Sequence, residues 1–180
     1  MRKNVLTFIM VIGVLFLVGS QAQAVVKYLI VPVESFTAAY EGDGYSRMAA
    51  ISMGSGVTVG YIWKTGDDGF LQAGFNLPDG VNVKGVTMTY YDNDATDNVT
   101  CYVYRTNIWN GTRQVMFSCA SSGAATFIRN VGDYSVNTAG SRNVKTATFD
   151  YSIVLYFPDA DTSSFWPTKY IYGIRIMYDE

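Results

Sequence analysis

The feature that most constrains this chain is a hairpin bracketed by its two cysteines. Residues 101–119 read CYVYRTNIWNGTRQVMFSC. Asn110-Gly111 is a turn signal, because glycine accepts the positive φ that tight hairpin turns need. A two-residue loop there would set Cys101 opposite Ala120. A three-residue loop from Trp109 to Gly111, with Gly111 left-handed, pairs Ile108 with Thr112, Val103 with Phe117, Arg105 with Val115 and Cys101 with Cys119. One face then carries Val99, Cys101, Val103, Val115, Phe117 and Cys119, with Arg105 at its end. A one-residue slip would move one strand's set to the other face, which favours the second register. That register also permits a cross-strand disulfide, since bridged Cα atoms must lie within ~7 Å.

The compartment follows from the amino terminus. Arg2 and Lys3 precede an apolar run, Val5 to Val18, and Ala22-Gln23-Ala24 is a small-x-small cleavage site. This is the pattern of a secretory signal peptide, and the apolar run is short for the roughly 20 residues of a spanning helix. Removing Met1–Ala24 from the 180 residues leaves 156, enough for one domain with a substantial core. Without Arg2 and Lys3 the chain has 11 basic against 15 acidic residues, a net charge of −4. That mild acidity argues against nucleic acid and anionic lipid as partners. Two cysteines in an exported chain predict one structural disulfide, Cys101–Cys119, contributing about 3 kcal/mol in the chain-entropy model.

Strand signals recur along the rest of the chain. VVKYLIVPVESF at residues 25–36 is extended, with Pro32 marking an edge or a strand end. Val57, Val59, Tyr61 and Trp63 alternate with small or polar residues, as do Leu71, Ala73, Phe75 and Leu77. Val86, Met88 and Tyr90 share a side, and so do Phe149, Tyr151, Ile153, Leu155 and Phe157. A short strand near Thr126 to Arg129 and a last one from Tyr170 to Tyr178, with Tyr172, Ile174, Ile176 and Tyr178 on one face, complete the set. Residues 37–55 carry little pattern. Eight or nine strands without helical periodicity predict an all-β fold, a single antiparallel β-sandwich of jelly-roll type spanning residues 25–180. An outer-membrane barrel also suits tyrosine-rich strands. The chain, however, ends Tyr178-Asp179-Glu180 rather than on an aromatic residue, and its loops do not alternate short and long.

Leu77-Pro78-Asp79-Gly80, Tyr90-Tyr91-Asp92-Asn93 and Asp97-Asn98-Val99-Thr100 follow one another within 24 residues. In these motifs the chain resembles a group of uncharacterised exported bacterial all-β proteins that share an LPDG turn followed by a YYDN strand end. YIYGIRIMY at residues 170–178 is similar to that group's closing strand, and VPVESF at residues 31–36 to its opening. The resemblance implies export and an all-β fold. It brings no functional residues with it.

Chemistry is sparsely encoded. The chain has no histidine, which removes His-dependent triads and imidazole metal sites. Its only glutamates are Glu34, Glu41 and Glu180, and no S-x-x-K motif occurs, so a non-catalytic protein is expected. Asp92, Asp94 and Asp97 form an acidic loop that offers hard oxygen ligands to Ca²⁺, although Thr96 and Asp97 break the EF-hand pattern. The competing reading is a polar turn whose side chains bond their own backbone. Asp159 and Asp161 form a second, weaker acidic pair. Trp63, Trp109 and Trp166 are candidates for an apolar platform against sugar rings. Trp109 stands out at the hairpin tip, where the alternative is a ring folded onto the sandwich rim. Two asparagine sequons, at Asn98 and Asn110, are assigned no role in a bacterial context.

Two functions compete. One is a secreted binding module for a glycan or another surface ligand. The other is a structural subunit of a surface layer or fibre, assembled by adding the apolar amino-terminal strand to a neighbour's sheet. Where Val25 to Val33 lies separates them: a strand paired inside its own sheet is not available to another chain.

Overall fold

The computed structural model describes residues 24–39, 45–53, 57–64, 69–135, 142–158 and 168–180. The leader-like segment up to Gln23, Asp159, Asp161 and Trp166 lie outside the described residues. In chain order the strands are β1 (Val26–Val31), β2 (Thr37–Ala38), β3 (Tyr45–Met53), β4 (Val57–Lys64), β5 (Gly69–Gly74), β6 (Asn82–Asp92), β7 (Thr100–Asn107), β8 (Arg113–Ala120), β9 (Arg129–Asp133), β10 (Phe149–Phe157) and β11 (Lys169–Asp179). They form two antiparallel sheets in a jelly-roll-like sandwich. Sheet A runs β3-β4-β11-β6-β9, and sheet B runs β2-β5-β10-β7-β8. β1 pairs with the second half of β11, from Val26 opposite Asp179 to Val31 opposite Ile174, while β4 meets the first half at Ile171 opposite Ile62. The amino-terminal strand therefore completes its own sheet, and the fibre hypothesis loses the feature that motivated it.

The core is the set of alternate residues that each sheet turns toward the other. Sheet A contributes Ile62, Val86, Met88, Tyr90, Ile171, Ile174 and Ile176; sheet B contributes Leu71, Val103, Phe117, Ile153, Leu155 and Phe157, all buried. Each such side chain adds roughly 1.5–3 kcal/mol of burial free energy before the cost of ordering the chain. Pro32 ends β1 as expected and begins a single 3₁₀ turn, Val33–Ser35, which buries Val33. The faces expected for β5, β6 and β10 are those observed.

Three expectations need correction. The hairpin loop has four residues, 108–111, because the Asn107 N–H donates to the Thr112 carbonyl at 2.9 Å and the Gly111 N–H to the Asn107 carbonyl at 2.8 Å. Gly111 is left-handed, with φ +70°. A β-bulge absorbs the extra residue: Val103 faces Phe117 but Tyr104 faces Val115, so Met116 joins Phe117 in the core. Cys101 still lies opposite Cys119, whereas Arg105 faces Gln114 and donates to its side-chain oxygen at 2.8 Å. The expected bridge is not formed, and both cysteines are buried free thiols. Register brings the Cα atoms together, but a disulfide also needs both side chains turned onto one S–S axis.

The second correction is in β11, where a bulge between Ile171 and Gly173 breaks the alternation. Ile171, Ile174 and Ile176 point inward, and Tyr172 is turned to the outer face. In β4, likewise, it is Ile62 that points into the core, leaving Tyr61 and Trp63 outward. The third concerns residues 37–55, which carried little pattern and contain β2 and β3. The short strand expected near Thr126 lies slightly later, at Arg129–Asp133.

Candidate functional site

Those outward turns assemble an aromatic strip on the outer face of sheet A. Tyr61 and Trp63 come from β4, Tyr170 and Tyr172 from β11, and Tyr91 from β6. Each alternates with an inward residue: Ile62, Ile171, and the Tyr90–Asp92 pair. Their rings form one contact network. Tyr61 and Tyr170 meet edge-to-face at 4.8 Å, Tyr61 and Trp63 lie 5.4 Å apart, Tyr61 and Tyr172 5.9 Å, and Tyr91 and Tyr170 5.6 Å. Such pairs are within the 4.5–7 Å range in which rings attract and hold one another in place. Burial pushes the phenols of Tyr61, Tyr170 and Tyr172 above their ordinary pKa, and for Tyr170 and Tyr172 the neighbouring tyrosines add to this. All three therefore stay protonated at neutral pH and keep an O–H donor.

At Tyr172 the strip runs into a depression of about 470 Å³. Its floor is set by the strand register, with Gly173 opposite Thr89 and Thr89 opposite Asn130, then Arg175 opposite Thr87 and Thr87 opposite Gly132. Gly173 leaves the floor open: nothing lies within 4 Å of where a Cβ would stand. The far wall is Tyr134. Its ring lies against Gly85 and Gly132, where an added Cβ would come within 2.5 Å of Tyr134 Cδ1 and 2.9 Å of its hydroxyl, respectively. The Tyr134 hydroxyl is 3.2 Å from Thr87 Oγ1. Thr89 Oγ1 donates to Asn130 Oδ1 at 2.6 Å. Arg175 is exposed at the near side, its guanidinium 4.8 Å from the centre of the Tyr28 ring. The face thus joins apolar ring surface to a row of neutral hydroxyl and amide groups and one cation.

The structure treats the expected site residues differently. Trp63 belongs to the strip. Trp109 projects from the hairpin tip, 80% exposed, so it is not folded onto the rim, and it makes no ring contact among the described residues. The acidic loop is a self-bonded turn. Asp92 is buried and accepts from the Ser121 hydroxyl and, at 3.0 Å, from the Asp94 N–H. Asp94 accepts from the Thr96 N–H and hydroxyl at 2.8 and 2.7 Å, and Asp97 from the Thr96 hydroxyl at 3.1 Å. Lys169, nearly buried, pairs with Asp94 at 2.8 Å. The Lys169 ammonium and the Thr96 donors hold the Asp94 carboxyl well below the usual carboxylate range. Among the described residues no group of three metal-ligating side chains converges. Tyr61, Tyr91, Tyr134, Tyr170 and Tyr172 were missed by sequence reasoning. Their signal was present in the aromatic residues that occupy the positions between inward aliphatics, where an exposed strand face ordinarily carries polar groups.

No protein-family model matches the chain, and no curated protein matches it in sequence. Several solved structures are similar in fold. One is the CBM22-1–GH10 part of xylanase 10B from Clostridium thermocellum, complexed with xylohexaose, at 8% identity and TM-score 0.50; the match covers 87% of this chain and 28% of that one. Another is the carboxy-terminal CBM6 of the laminarinase LamC from Zobellia galactanivorans, at 13% identity and TM-score 0.48, covering 83% of this chain and 98% of that one. A third is the family 11 carbohydrate-binding module from Clostridium thermocellum, complexed with a mixed-linked tetrasaccharide, at 14% identity and TM-score 0.46, covering 87% and 96%. At these identities the likeness is one of fold. Among the described residues no helix is long and apolar enough to cross a membrane.

Proposed function

We propose that the protein is a non-catalytic glycan-binding module and that the outer face of sheet A is its binding surface. The observation that carries this reading is the packed strip of Tyr61, Trp63, Tyr91, Tyr170 and Tyr172 opening onto a polar depression. A pyranose ring presents an apolar C–H face and a rim of hydroxyls. Aromatic surface takes the first, and Thr89, Asn130 and the tyrosine hydroxyls take the second. Mutual contact fixes the rings before binding, which lowers the entropy lost when a sugar docks. The likeness of the sandwich to part of the CBM22-1–GH10 xylanase structure complexed with xylohexaose supports the reading as an analogy of fold. A secreted location goes with it, by way of a leader cleaved after Ala24.

Binding to a panel of soluble polysaccharides by affinity electrophoresis tests the assignment. Trp63→Ala and Tyr172→Ala should each weaken binding roughly three- to tenfold, the worth of one aromatic contact, while Trp109→Ala should not. Platform variants that bind like the wild type would remove the site from this face.

A further inference from the structure

We propose that the sheet A depression recognises an acidic polysaccharide, one whose sugar rings bear carboxylates, and that Arg175 is the residue that reads the carboxylate. This rests on the glycan reading above and narrows it to a ligand class.

The argument is one of charge left over. Lys27 pairs with Glu180, Lys84 with Asp179 at 2.7 Å, and Lys169 with Asp94 at 2.8 Å. Arg175 has no carboxylate within ion-pair distance among the described residues, and no acidic side chain lines the depression. The guanidinium is nonetheless placed. β11 pairing sets Arg175 between Ile30 and Thr87 in the sheet, and its guanidinium lies over the Tyr28 ring, 4.8 Å from the ring centre. A guanidinium resting on an aromatic ring has one face occupied and its N–H edge open, the edge that forms paired bonds to a planar carboxylate.

The neutral groups lean the same way. Thr89 gives its hydroxyl proton to Asn130 Oδ1, so the acceptor of that amide is engaged and its NH₂ is what remains to offer. A surface with one cation, an amide donor and no anion suits an acceptor-rich anionic ligand. The strip from Tyr172 toward Trp63 would carry the adjoining sugar rings. A sulfate ester presents the same charge in tetrahedral rather than planar form, and the test separates the two.

Affinity is measured for the full chain, Arg175→Gln and Tyr172→Ala against polygalacturonate, the same polymer after carboxyl reduction, and dextran sulfate. The wild type should bind polygalacturonate at least about tenfold more tightly than the reduced polymer, as a hydrogen bond to a charged group is worth that much. Arg175→Gln should abolish the difference between the two polymers. Equal affinity for the two polymers, a preference that survives in Arg175→Gln, or dextran sulfate bound as tightly as polygalacturonate would each overturn the inference. If the reduced polymer binds and Tyr172→Ala weakens it, the glycan reading stands even where the carboxylate preference is missing. Absence of binding to all three polymers counts against both.

Discussion

The Asp133 carboxylate, on the edge strand of sheet A, accepts a hydrogen bond at 2.9 Å from the Ser118 N–H on the edge strand of sheet B. The same carboxylate accepts from the N–H and hydroxyl of Ser135 at 2.8 and 2.6 Å. One side chain therefore ties β9 to β8 across the seam where the two sheets would otherwise present open edges. Burial raises the Asp133 pKa, but the Ser135 and Ser118 donors outweigh it and the net direction is down.

Asp133→Ala should cost about 1–2 kcal/mol, the loss of charge-assisted bonds at a partly buried acceptor. Urea denaturation measures it. Amide exchange should quicken first at Ser118 and Ser135, and an unchanged midpoint would show that the seam is held by packing alone.

For the thiols, the register makes a specific prediction. Neighbouring Cys119 and complete burial push the Cys101 thiol up, so in the reduced folded protein it should resist alkylation. After denaturation without reductant, both Cys101 and Cys119 should alkylate, as free thiols do. Alkylation of Cys101 as fast in the folded protein as in the denatured one would show that burial does not protect it.

The Asp94–Lys169 pair sets an acid limit. Because the folded-state pKa of Asp94 lies below its unfolded value, the pair's contribution is full above the ordinary carboxylate pKa of about 3.9 and fades as pH falls through the lower folded value. Asp94→Asn should destabilise by about 2 kcal/mol at neutral pH, less than a fully buried pair, since Lys169 also donates to the Pro158 carbonyl at 3.3 Å. The mutant's deficit should shrink on acidification. Adding ~10 mM Ca²⁺ should leave the Tm of both proteins unmoved, because the carboxylate is already engaged; a shift of several degrees in the wild type alone would restore the metal reading.

Two glycines should respond oppositely. Gly173→Val places its side chain in open space at the floor of the depression, so stability should change by less than about 1 kcal/mol while glycan binding falls. Gly85→Ala would bring a Cβ within 2.7 Å of the Asp133 carbonyl as well as into the Tyr134 ring, and should cost about 1–3 kcal/mol. Thermal melts and affinity electrophoresis on the pair distinguish filling the site from breaking its wall.

Much of the sandwich was legible because it obeys a period of two. Leu71-Ala73-Phe75-Leu77 and Val86-Met88-Tyr90 point where alternation sends them. The site was not legible for the same reason inverted. At Tyr172 a bulge of one residue reversed the phase, and no local composition marks it except the glycine that follows. Trp63 was singled out as a platform candidate, but Tyr61 beside it looked only like part of an apolar strand face, since a ring meant for a ligand and a ring meant for a core have the same hydropathy. Trp109, chosen for its isolation, is isolated in space too. The cysteine register came through because a disulfide's reach constrains Cα atoms, and an extra loop residue was cancelled by the bulge at Met116 before reaching them.

The position of β11 governs when this chain can fold. It hydrogen-bonds β1, β4 and β6, yet it is synthesised after every one of them. Sheet A cannot close until residue 179 has left the ribosome, and its outermost pairing, Val26 with Asp179, joins positions more than 150 residues apart. Contacts of that separation make folding slow, because the entropy of closing the loop is lost before the pairing is gained. Until β11 is made, β1 and β4 have no strand that links them to β6, and the inward face of sheet A cannot be assembled against sheet B.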